Sequence, residues 1–389
     1  MKLLKYLVKN ETVFCVSFLL ALVSAFFVHP DAGYLAYPDY RTIALLFCLM
    51  IVIAGLQSLK VFYMLGEFLL KRAHGVRSLS FIMVLLCFFG SMVITNDVAL
   101  ITFVPFTIFI FRMGGQGNRI LRLIVLETIA ANLGSMATPI GNPQNLYLYS
   151  ISNLSAADFA RATLPYAGLA LLLLVIVLLA ARDEPLLEIM MGEEAENRKK
   201  EKGIEENGRK KKGKEKNSLF PAVVPYLLML ALCLLVVFRV LPYQPVLIFV
   251  IAAALILKRK LYWSVDYFLL LTFFFFFIFI GNIKRIPLID EFLVSVVQGR
   301  EMLTGILASQ VISNVPAAIL LSGFAGDVCA LLTGVNLGGL GTLIASLASL
   351  ISFKFFAREY PDQKGQFLKE FTFWNILFLF ALTAAAFVL

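Results

Sequence analysis

Residues 127–146 read ETIAANLGSMATPIGNPQNL, from Glu127 to Leu146. The stretch lies inside an apolar segment, yet it holds two glycines, two prolines and three asparagines. A helix facing lipid cannot carry that composition. Pro139 and Pro143 lack backbone donors, and Gly134 and Gly141 loosen the chain. Non-helical backbone at membrane depth persists only where it is buried in protein or lines a wet cavity. The stretch therefore predicts a transmembrane helix broken over 134–142, with a polar pocket at the break.

The pattern returns near the C-terminus. Asn132-Leu133-Gly134 and Thr138-Pro139-Ile140 are matched in register by Asn336-Leu337-Gly338 and Thr342-Leu343-Ile344. A second polar interruption precedes each copy: Thr95-Asn96-Asp97 before the first, Ser313-Asn314-Val315-Pro316 before the second. Paired interruptions in two halves of a membrane chain mark the binding site of a secondary transporter.

Composition agrees with a polytopic membrane protein. Hydrophobic residues make up 60% and charged residues 15% of 389 positions, with 36 phenylalanines. The net charge of +9 lies mostly in loops, which fits the positive-inside rule and argues against nucleic-acid binding. The five cysteines have no metal spacing, and no disulfide framework or cofactor is expected. His29 and His74 stand alone near helix ends. There is no HExxH, no Gly-rich phosphate loop and no assembled Ser–His–Asp set, so a membrane enzyme is the weakest functional reading.

Apolar runs set the organisation. Lys2, Lys5 and Lys9 precede Thr12–Val28, read as an uncleaved first span, and Thr42–Gln57 is the second. Lys60–Arg72 and Pro287–Gln298 read as interfacial helices. Leu79–Phe111 is one apolar run of 33 residues broken by Thr95-Asn96-Asp97. That is too long for one crossing of about 20 residues and too short for two with a turn, so a re-entrant hairpin is expected. Glu301–Phe324 is its counterpart. Arg119–Ile151 and Asp327–Phe356 are the two broken helices. Spans are expected at 164–181, 220–241, 245–257, 266–281 and 367–389. Phe273–Phe277 read as bulk facing lipid or helices. Asp183–Asn217, rich in Glu, Lys, Arg, Gly and Asn, reads as a disordered cytoplasmic linker.

The expected fold is all-α, with two inverted-topology repeats, each carrying a re-entrant hairpin and a broken helix. Residues 1–75 and 218–298 supply scaffold helices. Residues 76–182 and 299–389 supply the hairpin and broken-helix units, and 183–217 links the halves. With non-crossing hairpins, only Arg41, Arg161, Arg239, Lys284, Arg285 and Arg300 of the 34 Lys and Arg fall outside. The N-terminus and linker are then cytoplasmic and the C-terminus is outside. An extra helix in the second half inverts the repeat.

A broken helix turns two ends toward one cavity. The N–H groups of its second half suit an anion, and the carbonyls ending its first half suit Na⁺ or a proton carrier. Asn142 and Pro143 read as N-cap and first helical residue, and Asn314 with Pro316 suggests the same at the second hairpin tip. The candidate substrate residues are Asn96, Asn142, Pro143, Asn145, Ser313, Asn314, Thr342 and Ser346. The candidate coupling-ion residues are Asp97, Asn132, Thr138, Asn336 and Glu127, and a Na⁺ ion is expected at Asn96, Asp97, Thr138 and Asn314. Asp97 is read either as functional or as a helix N-cap. Glu127 is read either as pairing with Arg122 or as facing a cavity. A carboxylate beside an anion site repels it unless a cation or proton compensates, so coupling to Na⁺ or H⁺ is expected.

Asn-Leu-Gly-Ser-Met-Ala-Thr-Pro-Ile-Gly-Asn-Pro-Gln-Asn at 132–145, with Thr95-Asn96-Asp97 and Ser313-Asn314-Val315-Pro316, resembles the ion transporter superfamily. That group includes arsenite permeases, sodium–proton antiporters, citrate transporters and divalent anion–sodium symporters. The resemblance covers nearly the whole chain. It implies a transport domain of hairpins and broken helices moving against a scaffold, elevator-like access and frequent homodimers. The dicarboxylate symporters carry Ser-Asn-Thr at both tips. Here Asp97 and Val315 depart from it, which places the chain nearer the arsenite permeases and antiporters. The expected function is ion-coupled transport of a small inorganic or organic anion across the cell membrane. Sodium–proton antiport through Asp97 is the alternative.

Overall fold

Every regular element among the described residues is a helix. Helices satisfy their own backbone groups, which hydrocarbon requires. A computed structural model describes residues 11–62, 64, 68, 75–113, 117–180 and 205–386, with the side chains of 113, 117, 118 and 205–220 left aside. In the first half, α1 is Thr12–Phe27, α2 Tyr40–Ser58, α3 Val76–Ile94 and α4 Asn96–Met113. Then come α5 Gly117–Ser135, α6 Pro143–Ile151 and α7 Ala156–Ala180. In the second half, α8 is Glu205–Val237, α9 Tyr243–Leu257, α10 Tyr267–Ile283, α11 Pro287–Val297 and α12 Glu301–Ile312. The chain continues with α13 Asn314–Ser322, α14 Val328–Leu337, α15 Leu347–Glu359 and α16 Lys364–Ala386.

Local chemistry sets many of these starts. The Asp39 carboxylate accepts from Arg41 and Thr42 N–H to begin α2, and Asp266 accepts from Leu269 N–H to begin α10. Ser155 and Asp158 bond each other's backbone N–H reciprocally at the start of α7. α2, α3, α7 and the stretch Pro361–Ala386 are each long and apolar enough to cross a membrane. α11 leaves α10 at 108° and exposes Leu288 and Phe292, as an interfacial helix does.

The helices pack in two groups. α1 lies against α10, and α8 and α9 lie against α2. The other group joins both halves: α3 and α4 pack on α5, α12 packs on α14, and α15 packs on both α4 and α5. Contacts of α2 with α6 and of α10 with α13 join the groups.

Several expectations change. The first hairpin has arms of 19 and 18 residues, and the second has arms of 12 and 9. The first is longer than its apolar run because its helices continue through polar ends such as Arg77 and Arg112. At 1.5 Å per residue α3 is about 28 Å long, so the two hairpins are not equal in reach. The linker was expected to be irregular to Asn217, but the backbone is helical from Glu205 and continues into α8. Its Glu and Lys residues are good helix formers. Residues 181–204, the N-terminal lysines and most of Lys60–Arg72 lie outside the described residues. Within Phe273–Phe277, Phe273, Phe276 and Phe277 are buried, and the rings of Phe273 and Phe277 pack on Tyr147. All five cysteines are free.

Candidate functional site

The hairpin tips share one backbone geometry. Thr95 and Ser313 both have φ 72° and ψ 153°. A non-glycine residue at that φ is strained and must be held by its surroundings. At each tip a single residue reverses the chain between two helices. Asn96 and Asn314 are therefore the first helical residues of α4 and α13, not caps. The cap position before α13 is Ser313, which makes no side-chain capping bond. Asp97 is not a cap either; its N–H donates to Asn96 Oδ1 at 3.0 Å.

The broken helices are tied to the hairpins in parallel ways. Thr138 Oγ1 donates to the Met92 carbonyl at 2.6 Å, and Thr342 Oγ1 donates to the Gln310 carbonyl at 3.1 Å. Met92 and Gln310 each lie three residues before a tip. Asn96 N–H donates to the Gly141 carbonyl at 3.1 Å, while Ser313 Oγ reaches the Ala345 carbonyl at 3.4 Å. Gly134 packs on Ser91 and Gly338 on Ser309, with no room for a Cβ.

The two breaks are also bonded across to each other. Asn142 caps α6 by accepting from Asn145 N–H at 2.9 Å, with Pro143 at the first helical position. Its Nδ2 donates to Asn336 Oδ1 at 3.1 Å, and Asn336 Nδ2 donates to Asn145 Oδ1 at 2.6 Å. In the other direction, Ser346 Oγ donates to Asn132 Oδ1 at 2.9 Å, and Asn132 Nδ2 donates to Ser349 Oγ at 3.3 Å. Each first half-helix thus places one asparagine against two polar side chains on the second half-helix of the other break. Asn96 Nδ2 joins this network at Asn132 Oδ1, 3.2 Å away.

A cavity of about 600 Å³ opens beside the network. Its wall includes Thr95, Asp97, Asn142, Pro143, Ser313 and Pro316, drawn from both tips and the start of α6. α2 and α10 supply an apolar opposite wall, including Leu46, Ile53 and Leu269. Glu11, Asp266 and Lys354 also line it. Of the candidate residues, Asp97, Asn142, Pro143 and Ser313 reach the cavity. Asn96, Asn132, Thr138, Asn145, Asn314, Asn336, Thr342 and Ser346 do not line it. All but Thr138 and Thr342 of these are buried, and all but Asn314 bond to protein groups. Of the four expected Na⁺ ligands, only Asp97 lines the cavity.

Glu127 is corrected on both counts. It neither pairs with Arg122 nor lines the cavity. Arg122 bonds Glu370 at 3.3 Å on α16, and Thr107 Oγ1 donates to Glu127 Oε1 at 2.5 Å. Glu127 is fully buried against α4. Gln310 is a site-supporting residue that the sequence reading missed. Its Nε2 donates to the Gly338 and Leu340 carbonyls at 2.9 Å each, and its Oε1 accepts from Thr342 N–H at 2.8 Å. Its only sequence signal is its place three residues before a tip.

Two hairpins of unequal length and two broken helices around a polar-edged cavity define a membrane transporter. The citrate transporter family model matches residues 7–328, and the chain belongs to that family. It is 33% identical over 317 residues to an uncharacterised transporter of Methanocaldococcus jannaschii, covering 81% of each chain. It is 32% identical over 323 residues to the inner membrane protein YbiR of Escherichia coli, covering 81% of this chain and 80% of that one. A silicon efflux transporter of rice is 34% identical over 129 residues, covering 33% of this chain and 26% of the rice protein. The family and its named transporters remove the enzyme reading.

Proposed function

We propose that the protein is an ion-coupled secondary transporter that moves a small inorganic or organic anion across the cell membrane. The observation that carries this is the single cavity bounded by both hairpin tips and the start of α6. α6 turns its Asn142-capped N-terminus, the positive end of its dipole, toward the cavity wall, which favours an anion there. Glu11, Asp97 and Asp266 face the same space against the one lysine, Lys354. That balance repels a bare anion, so the cargo enters protonated or with a cation. A small oxyacid that enters protonated fits both demands, and one relative is named as a silicon efflux transporter.

The hairpin and broken-helix group is the moving body, and α1, α2 and α8–α10 form the scaffold it slides against. In this reading the N-terminus is cytoplasmic, the C-terminus is outside, and Glu11, Asp266 and Lys354 mark a cytoplasmic mouth.

The test is flux into liposomes of purified protein, with arsenite, silicate and citrate as cargo under imposed Na⁺ or pH gradients. Uptake is expected to need a gradient and to fall at least tenfold in Asn142→Ala. Rates that survive both collapse of the gradient and that substitution would remove the proposal. Asp97 in the cavity wall favours a second reading, sodium–proton antiport. That reading requires Na⁺-driven proton movement without any cargo, and its loss in Asp97→Asn.

A further inference from the structure

Each break frees carbonyls at the end of a half-helix, the groups that would coordinate a transported cation. Here a side-chain amide already sits among them. Asn145 Nδ2 donates to the Ser135, Met136 and Thr138 carbonyls at 3.2, 3.3 and 3.1 Å. Gln310 Nε2 donates to the Gly338, Leu340 and Ile306 carbonyls at 2.9, 2.9 and 3.2 Å. At the first break three carbonyl oxygens converge on one NH₂ group; at the second two do, and the third oxygen, that of Ile306, is the i−4 carbonyl of Gln310's own helix α12.

The orientation of both amides follows from backbone donors. Thr342 N–H donates to Gln310 Oε1, so Gln310 turns its nitrogen to the carbonyls. For Asn145 the chain of logic is longer. Asn145 N–H donates to Asn142 Oδ1, so Asn142 Nδ2 faces Asn336 Oδ1. Asn336 Nδ2 then faces the Leu332 carbonyl and Asn145 Oδ1, which leaves Asn145 Nδ2 for its three carbonyls. The two amides come from different places, one on α6 and one on α12, yet they meet equivalent ends of α5 and α14.

We propose that Asn145 and Gln310 occupy the positions where Na⁺ would bind, so that the carbonyls of both breaks are closed to it. The carbonyl clusters do not fit a Na⁺ ion while the amides remain, because each amide fills the point at which the oxygens converge. An NH₂ group also places partial positive charge at a half-helix C-terminus, the electrostatic service a cation would perform. The inference rests on the transporter reading and narrows its coupling ion. Cargo movement then runs without Na⁺ in the breaks.

The experiment compares melting temperatures of the purified full chain in NaCl and KCl at equal ionic strength and pH. The wild type is expected to melt at the same temperature in both. A Na⁺-specific rise in the wild type would overturn the inference. Gln310→Ala empties one cluster, and Gln310→Glu and Asn145→Asp keep the shape while exchanging a donor for a carboxylate. Each is expected to melt lower in KCl and to recover part of the loss in NaCl. Folded variants that respond equally to both salts would show plain capping bonds and overturn the inference. If no variant folds, the wild-type comparison alone decides. A Na⁺-specific rise in the wild type leaves the transporter reading intact. Absent flux in liposomes removes that reading and leaves the salt comparison standing.

Discussion

Asn142 performs three jobs with one amide: it caps α6, bonds Ser135 Oγ at 3.1 Å and bonds Asn336 across the molecule. Loss of an N-cap alone costs about 0.5–2 kcal/mol, and Asn142→Ala also strands buried partners. It is therefore expected to lower stability by more than a surface cap would, read as a thermal melt in detergent. Glycines make a sharper contrast. A Cβ at Gly134 would lie 2.1 Å from the Phe88 carbonyl oxygen, whereas one at Gly168 in α7 meets nothing within 4 Å. Gly134→Ala must push apart two backbones and is expected to destabilise by at least about 1–3 kcal/mol. Gly168→Ala should stabilise by up to about 1 kcal/mol, because alanine is the better helix former. Equal melting temperatures for the two variants would contradict this packing. Residue identity alone announced Asn142 as a cap and Pro143 as its partner. It could not separate Gly134 from Gly168, since both are glycines in apolar runs and only the neighbour differs.

Among elements, the two broken helices hold each other through paired polar contacts. Asn142 with Asn336 is one arm and Ser346 with Asn132 is the other. A double-mutant cycle on Asn142→Ala and Asn336→Ala is expected to give a coupling of about 0.5–3 kcal/mol, while Asn142→Ala with Asn375→Ala should be additive. Additivity in the first pair would deny the cross-link. A second contact joins α1 and α10 at their ends outside the spans. Arg285 bonds Asp31 at 2.8 Å and Tyr37 at 3.0 Å. The hydrogen bond from Arg285 holds the Asp31 carboxyl below the usual carboxylate range. A depressed acid stabilises the fold above its unfolded value and loses that contribution as pH falls through about 4 and below. Asp31→Asn should flatten this acid limb by slightly lowering the melting temperature at neutral pH while leaving the acid end of the profile unchanged. The breaks themselves were legible as Pro, Gly and Asn clusters. The unequal hairpin arms were not, because apolar run length omits helical ends that extend into polar surroundings.

For the whole molecule, Glu11, Asp266 and Lys354 line the cavity into which α6 starts, while Arg239 ties the end of α8 to the far end of α6. Arg239 Nη2 donates to the Tyr149 carbonyl at 2.9 Å and also to Ser152 O, beside the C-terminus of α6. In a cysteine-free background, Lys354→Cys is expected to react with a membrane-impermeant thiol reagent from the cytoplasmic side. Labelling from the outer side alone would reverse the orientation. The sequence by itself determined an all-helical membrane chain with two pairs of interruptions, because proline, glycine and the hydrocarbon's intolerance of free backbone groups act locally. Only the tertiary structure decided which polar groups line the cavity and which bond one another. Asn142 meets Asn336 across 194 residues and Asn132 meets Ser349 across 217. No local rule pairs residues at that distance. Their partners are set by how α6 and α15 pack on the opposite half, and that packing turned most of the expected ligands into one another's hydrogen-bond partners.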